Sequence, residues 1–469
     1  MPKSPKRNTT LIRLLTALIA VLLIANGAVL YLQFKVPTDS APTVQPTEAT
    51  TEATIPTTEE TEPTTTTMPE PAHVVSTASI LSTGDLLMHI SVFNSGKQSD
   101  GSYNFDSIFR YITDHVSAAD YSVANLEVTF AGTDNGFSYS GYPRFNCPDA
   151  LADATKNAGF DMLLTANNHS YDTTLVGFKR TLEVVRATGQ ETLGTYLSAD
   201  EQKWTIEEIN GIKVGMLCYT YATGLGPKGT PRLNDNAEIG EAGICNYFTY
   251  DNLPAFYSEV GGYLEKMKAA GAEATVVYLH WGEEYKWKTG EGPNANQTAM
   301  AQKLCDMGVD VIVGGHPHVV QPVDLLTSGT DAEHKTIVLY SMGNAVSNQR
   351  KEEMQQSEPT GHTEDGVLFC VTFAKYSDGS VCVDSAELIP TWVNMHANSG
   401  STEYNILPLE ESTAAQWQAQ FGLTDTQLAN AKASFDRTQA LVLPGMEKVQ
   451  SYLAQQKQPQ ENLPLDNAA

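Results

Sequence analysis

Positive charge is scarce in this chain. Its 469 residues carry 29 Lys and Arg against 55 Asp and Glu, a formal net charge of −26. The first 35 residues hold no acid and include Lys3, Lys6, Arg7, Arg13 and Lys35, so the imbalance in the remainder is steeper still. A surface of that sign repels nucleic acid and argues against DNA or RNA as a partner. It also repels polyanions unless a metal or a local basic patch intervenes. Paired cysteines are missing too. Cys147, Cys218, Cys245, Cys305, Cys370 and Cys382 never form a C-x-x-C pair, which removes a thiolate zinc site. Scattered through a large domain they read as buried thiols, and Cys370 with Cys382, in neighbouring strand-like runs, is the pair a disulfide would join outside the cell. Large apolar residues are nearly absent from 37–72, a stretch of Thr, Pro and Glu that cannot bury enough surface to fold. Residues 35–73 therefore read as a disordered spacer, extended at roughly 3 Å per residue to about 100 Å. No internal repeat is present.

One long apolar run does occur, from Leu14 to Phe34. That length suffices to cross a bilayer as a helix. The basic segment 1–13 before it favours a cytoplasmic N-terminus and places the rest of the chain outside. The alternative is a cleaved signal peptide with Ala25-Asn26-Gly27 as the site. Both readings predict an extracellular main domain, and the uncleaved anchor predicts a single-pass membrane protein.

From Val74 onward, short apolar runs alternate with amphipathic stretches. Ser79–Thr83, Tyr121–Ala124, Asp161–Thr165, Val214–Tyr219, Thr275–Leu279, Asp310–Val313 and Thr336–Tyr340 read as buried strands. Asp149–Ala158, Leu175–Ala187, Tyr257–Ala270 and Gln297–Met307 read as helices. That alternation predicts an α/β fold. Val367–Ala374 and Val381–Leu388, joined by Ser377-Asp378-Gly379, carry a hairpin signal. The main domain is expected over 74–395, a helical extension over 396–455 and a disordered tail over 456–469.

The polar residues fall at the ends of these strands. Gly84-Asp85, Asn125-Leu126-Glu127, Asn167-Asn168-His169 with Asp172, His280-Trp281-Gly282, Gly314-Gly315-His316-Pro317-His318 and Ser341-Met342-Gly343-Asn344 each follow an apolar run. In open α/β sheets, ligands bind outside the carboxyl ends of the strands. Taken singly, Asp85 could cap a helix, Asn167-Asn168 could form a turn and His280 could be a core histidine. Recurrence at six strand ends points instead to one shared site. Imidazole, carboxylate and amide oxygen together suit one or two divalent ions of Mn, Zn or Fe, and a carboxylate such as Asp85 or Glu127 can bridge two of them.

In this order the motifs resemble the bacterial capsule-synthesis CapA family, which is associated with poly-γ-glutamate capsule synthesis or export. The resemblance covers roughly residues 76–348. It implies a four-layer α/β/β/α sandwich similar to calcineurin-like metallophosphoesterases. It also implies metal ligation by Asp85, Glu127, Asn168, His280, His316 and His318, with His169 as general acid. Asn125, Asn167, Asp172, Trp281, Glu284, Tyr285 and Asn344 are expected to line or support the site, and Arg144 to hold an anionic group. A purely structural role is the alternative for Trp281, Glu284 and Tyr285, and a surface charge or salt-bridge partner for Arg144. One position departs from the metallophosphoesterase pattern: Leu87 stands where those enzymes carry a histidine, and His89 lies two residues further on. The function implied is a metal-dependent hydrolase of capsule or envelope polymer, acting on an anionic polymer or a phosphoester. Membrane proteins of capsule synthesis are the expected partners. The alternative is a non-catalytic polymer-binding or export component.

Overall fold

Alternation along each strand determines how the layers stack. In the computed structural model, which describes residues 72–457 except 135, 235–237, 289–291, 399 and 411–413, neighbouring residues of one strand enter different cores. Ile80 and Val123 face one core while Leu81 and Ala124 face another, and Met216 and Val276 separate in the same way from Leu217 and Val277. This follows from the period of two of an extended chain.

In chain order the first part comprises β1 (Val74–Leu86), α1 (Ile90–Ser95), α2 (Asp106–Phe109), α3 (Thr113–Ala118), β2 (Tyr121–Leu126), α4 (Ala150–Ala158), β3 (Met162–Leu164), α5 (Thr174–Ala187) and β4 (Glu191–Leu193). The middle comprises β5 (Thr205–Ile209), β6 (Ile212–Tyr221), the short β7 (Gly224–Leu225), β8 (Pro231–Arg232) and β9 (Tyr247–Phe248), then α6 (Leu253–Ala269), β10 (Ala274–His280), α7 (Ala295–Asp306), β11 (Val311–Gly315), β12 (Val320–Thr327), β13 (Lys335–Met342) and β14 (Asn344–Val346). The last part comprises β15 (Asp365–Tyr376), β16 (Val381–Asn398), β17 (Ser401–Pro408), α8 (Ala414–Phe421) and α9 (Asp425–Gln456).

One sheet runs β17-β16-β15-β1-β2-β3-β4, with β14 beside β1; the other runs β12-β13-β11-β10-β6-β5, with β9 beside β6. Strands β1 to β4 are parallel, as are β6, β10, β11 and β13. The first core lies between the sheets and includes Ile80, Val123, Met216, Val276 and Val313. A second core packs α1 to α4 on the outer face of the first sheet, and a third packs α6 and α7 on the outer face of the second. The result is a mixed α/β sandwich with helices outside both sheets.

The seven expected strands and four expected helices all appear, most within two residues of the expected bounds. The Ser377-Asp378-Gly379 turn joins β15 to β16 as an antiparallel pair. The expected helical extension needs correction. Residues 401–408 form β17, paired to β16 with Trp392 opposite Leu407, so helix begins only at Ala414. Tyr404 and Ile406 supply the burial that makes this segment a strand, and their partners lie far away in sequence. The cysteines are free: Cys147, Cys218, Cys245 and Cys305 are buried, Cys370 is partly buried and Cys382 is exposed. Cys370 pairs in register with Glu387 rather than Cys382, so the hairpin does not set the two thiols opposite each other. The segments 1–13 and 14–34 and almost all of 35–73 and 456–469 lie outside the described residues. Among the described residues no helix is long and apolar enough to cross a membrane.

Helix α9 closes one edge of the sandwich. Val442, Val449 and Leu453 enter the core between the sheets. Gly445 permits close approach, because a Cβ there would stand 1.8 Å from the carbonyl oxygen of Val323 in β12. Arg437 donates to both carboxylate oxygens of buried Asp365, at 2.8 and 2.6 Å, and Ser434 donates to the same group. Removing one member of such a pair leaves a charge without compensation in a dry setting. Arg437→Ala is expected to lower the free energy of unfolding in urea by about 3 kcal/mol. Arg437→Lys should recover only part of it, since the ammonium lacks the two-pronged geometry.

Candidate metal centre

The rim of the sandwich is built by close backbone approach. A Cβ on Gly84 would stand 2.0 Å from the carbonyl oxygen of Gly343, and one on Gly314 would stand 2.0 Å from that of Tyr340. These glycines let β1, β11, β13 and β14 converge where both parallel sets end. Asp85 ends up in register with Asn125 on one side and Asn344 on the other, and His280 with Gly315. The loop after β11 is strained: His316 and His318 have φ of 94° and 54°. The left-handed region costs a residue other than glycine on the order of 1–3 kcal/mol, and such cost tends to collect at functional sites.

Five of the residues expected as ligands converge. Glu127, His316 and His318 form one group whose ligand atoms lie within 4.8 Å of one another, and Asp85, Glu127 and His280 form another. Glu127 belongs to both. Asn168 joins them through its Oδ1, 2.7 Å from His280 Nε2. Asp85 and Glu127 are both fully buried. Several polar atoms in the cluster are buried without a hydrogen-bond partner: Glu127 Oε1, His280 Nδ1 and His316 Nδ1. Orphaned acceptors of this kind, around two dry carboxylates, fit a divalent cation.

Charge within the cluster is unevenly shared. Burial works to raise the pKa of Asp85, but His318, His280 and Asn125 hold it below the usual carboxylate range. Burial likewise opposes a charge on His318, yet Glu127 and Asp85 push its pKa up to about 9. His316 is held well below its ordinary value by burial and by His280 and His318. A bound cation would add positive charge beside the buried carboxyl groups of Asp85 and Glu127.

The supporting residues are placed as follows. Asn125 Nδ2 donates to Asp85 Oδ1 at 2.7 Å, and Asn167 Nδ2 reaches Asn125 Oδ1 at 3.3 Å. Asn344 Oδ1 lies 3.1 Å from His318 Nδ1, while its Nδ2 contacts Gln349 and the Thr363 carbonyl, both at 2.9 Å. His169 Nδ1 donates to Asp172 at 2.7 Å. Burial opposes charge on His169, but Asp172 and Glu127 together raise its pKa. Tyr285, whose ring centroid is 6.3 Å from that of His318, accepts from Gln349 at 3.3 Å. Glu284 lines a cavity beside His316.

Trp281 takes the structural role: it is fully buried, packs under α6 and α7, and donates to the Tyr340 carbonyl. As the neighbour of His280 on an extended strand, it faces the opposite way. Arg144 is exposed and takes no part in either ligand group; the next residue, Phe145, packs edge-on against His169 at 4.7 Å. Leu87 is buried in the helical core of the first sheet. His89 belongs to neither ligand group, and its Nδ1 accepts from the Asn348 backbone.

Sequence reasoning missed Tyr221, Asn234 and Gln349. Tyr221 stacks 6.4 Å from His280 and lies 4.7 Å from His316. It sits at the end of β6, so the strand-end rule that picked out its neighbours applies to it equally. Asn234 Nδ2 lies 3.3 Å from His169 Nδ1, and nothing in its local sequence marks it.

Comparison with known proteins gives consistent matches. The family model described as bacterial capsule synthesis protein PGA_cap matches residues 79–349. The chain is 28% identical over 269 residues to the capsule biosynthesis protein CapA of Bacillus anthracis, covering 57% of this chain and 59% of that protein. It is 28% identical over 271 residues to the PGA biosynthesis protein CapA of Bacillus subtilis (strain 168), covering 57% and 62%. It therefore spans about three-fifths of the length of the curated relatives it matches. Among solved structures, a putative 5'-nucleotidase from Staphylococcus aureus, in complex with alpha-ketoglutarate, aligns with a TM-score of 0.41 at 14% identity, covering 77% of this chain and 58% of that one.

Because Glu127 belongs to both groups, Glu127→Gln should empty both at once, whereas His280→Ala should spare the group of Glu127, His316 and His318. Metal analysis of the purified chain distinguishes the two, and an undiminished metal content in Glu127→Gln would refute the shared carboxylate.

Proposed function

The chain belongs to the bacterial capsule synthesis PGA_cap family, and from that premise we propose that it is a metal-dependent hydrolase of an envelope polymer at the cell surface. The observation that carries this reading is the pair of dry carboxylates, Asp85 and Glu127, ringed by His280, His316 and His318 with unsatisfied ligand atoms. On this reading Asp85, Glu127, Asn168, His280, His316 and His318 would hold one or two divalent ions, in the manner of calcineurin-like metallophosphoesterases. A bound ion would supply Lewis-acid polarisation and activate water. The substrate is an anionic capsule polymer such as poly-γ-glutamate, or a phosphoester.

This chain's own residues perform the remaining steps. Asp172 accepts from His169 Nδ1 and so leaves Nε2 to exchange a proton with the leaving group. Asn125 and Asn344 fix the orientation of Asp85 and His318 through their amides. Arg144, exposed and next in sequence to Phe145, which packs on His169, would hold an anionic group of the substrate. The Leu14–Phe34 run would anchor the chain as a single-pass membrane protein with the spacer outside it, close to membrane proteins of capsule synthesis.

A second reading is a non-catalytic component that binds polymer and guides its export. The buried side chain of Leu87 favours it, because a leucine in the helical core leaves that position without a ligand.

The two readings separate on turnover. Purified full-length chain, loaded with Mn or Zn, is expected to hydrolyse members of a panel of phosphoesters and γ-glutamyl peptides, and chelation should abolish this. His169→Ala should lower kcat by about 10²–10⁴-fold with little change in KM. Arg144→Ala should instead raise KM. Metal-dependent polymer binding without any hydrolysis would decide for the second reading.

A further inference from the structure

We propose that Gln349 is a positioning residue for the metal centre, and that it acts through Asn344 to set which ring nitrogen of His318 meets the ion. Gln349 is 7% exposed and belongs to neither ligand group. Its backbone is fastened on both sides. The N–H donates to Ser347 Oγ at 3.2 Å, and the carbonyl accepts from Thr363 Oγ1 at 2.6 Å. That places its side chain against the Asn344 amide, whose Nδ2 donates to Gln349 Oε1 at 2.9 Å.

A side-chain amide can lie either way round, and its partners decide which. Asn344 Nδ2 faces three acceptors: Gln349 Oε1 and the carbonyls of Thr363 and His318, at 2.9, 2.9 and 3.3 Å. The reversed amide would set an oxygen against all three. Asn344 Oδ1 therefore faces His318 Nδ1 at 3.1 Å, and Asp85 Oδ2 stands at the same distance from that nitrogen. With two acceptors against it, Nδ1 carries a proton. Only Nε2, 3.8 Å from Glu127 Oε1, is then left to give its lone pair to an ion. Asp85 is itself a candidate ligand, so Asn344 is the acceptor reserved for Nδ1. Of the three groups that orient Asn344, Gln349 alone is a side chain, and it has its own anchor. Its Nε2 donates to the Tyr285 hydroxyl at 3.3 Å, which turns Oε1 toward Asn344. The Tyr285 N–H donates to the carbonyl of Pro317, between the two ligand histidines, at 2.8 Å. Tyr285, Gln349, Asn344 and His318 thus close a ring through Pro317. The inference rests on the metal-holding part of the hydrolase reading and not on turnover.

The test is Co2+ titration of the metal-stripped full-length chain, read by visible absorption, with thermal unfolding of the same samples. Gln349→Met keeps the volume and removes both side-chain hydrogen bonds. It should weaken Co2+ binding by about 10–100-fold and alter the spectrum of the saturated chain. Gln349→Glu keeps an acceptor for Asn344 and should stay within about threefold of the unaltered chain. Gln190→Met is the control: Gln190 is equally buried, but it bonds to Phe160 and Thr155 at the amino ends of the strands. It should lower the melting temperature and leave Co2+ affinity within about threefold. Should Gln349→Met fail to fold, Tyr285→Phe removes only the hydroxyl that seats the Gln349 amide, and a loss of about threefold or more is expected. Unchanged affinity in Gln349→Met, equal losses in Gln349→Met and Gln190→Met, or a Gln349→Glu as weak as Gln349→Met would overturn the proposal. A chain that binds Co2+ in this pattern and hydrolyses nothing sinks only the hydrolase reading. A chain that hydrolyses its substrate while Gln349→Met binds Co2+ normally sinks only this one.

Discussion

Two carboxylates held out of water govern this structure. Asp85 and Glu127 are each fully buried at the rim where the parallel strands of both sheets end. An isolated charge in such a place is too costly to persist, so its neighbours must compensate it. His318 does so in part: burial opposes its charge, but Glu127 and Asp85 raise its pKa to about 9. Asn125 adds a donor. His280 Nδ1 and His316 Nδ1, in the same cluster, are also buried without a hydrogen-bond partner. The positive φ of His316 and His318 is the backbone cost of aiming those rings inward.

The support for this cluster extends beyond the family's own segment. Asn344 orients His318 and hydrogen-bonds the Thr363 carbonyl. Two residues on, Asp365 is gripped by Arg437 and Ser434 of α9. The family match ends at residue 349, yet the C-terminal helix braces the segment that holds Asn344 in place. The helix also seals the core between the sheets with Val442, Val449 and Leu453. Stability at one edge of the sandwich and geometry at its rim are thereby linked through β14, the 347–364 connection and the start of β15.

Much of the fold was legible because strands buried on both faces read as unbroken apolar runs, and six of the seven runs ended in a polar cluster. Asp85, Glu127, Asn168, His280, His316 and His318 were found this way, and the structure brings them together. The role of Trp281 stayed open in the sequence because adjacency in sequence does not mean a shared face on a strand. Segment 401–408 misled because its burial comes from residues near the start of the chain. Tyr221 was within reach of the same rule, but Asn234 and Gln349 were not, since loops enter a site by tertiary packing alone. The sequence by itself determined which side chains could bind a cation and that they sit at strand ends, because chemistry and period are local properties. Only the tertiary structure decided that Glu127 serves both ligand groups and that Leu87 turns away. Those outcomes depend on how two sheets and their loops meet in space.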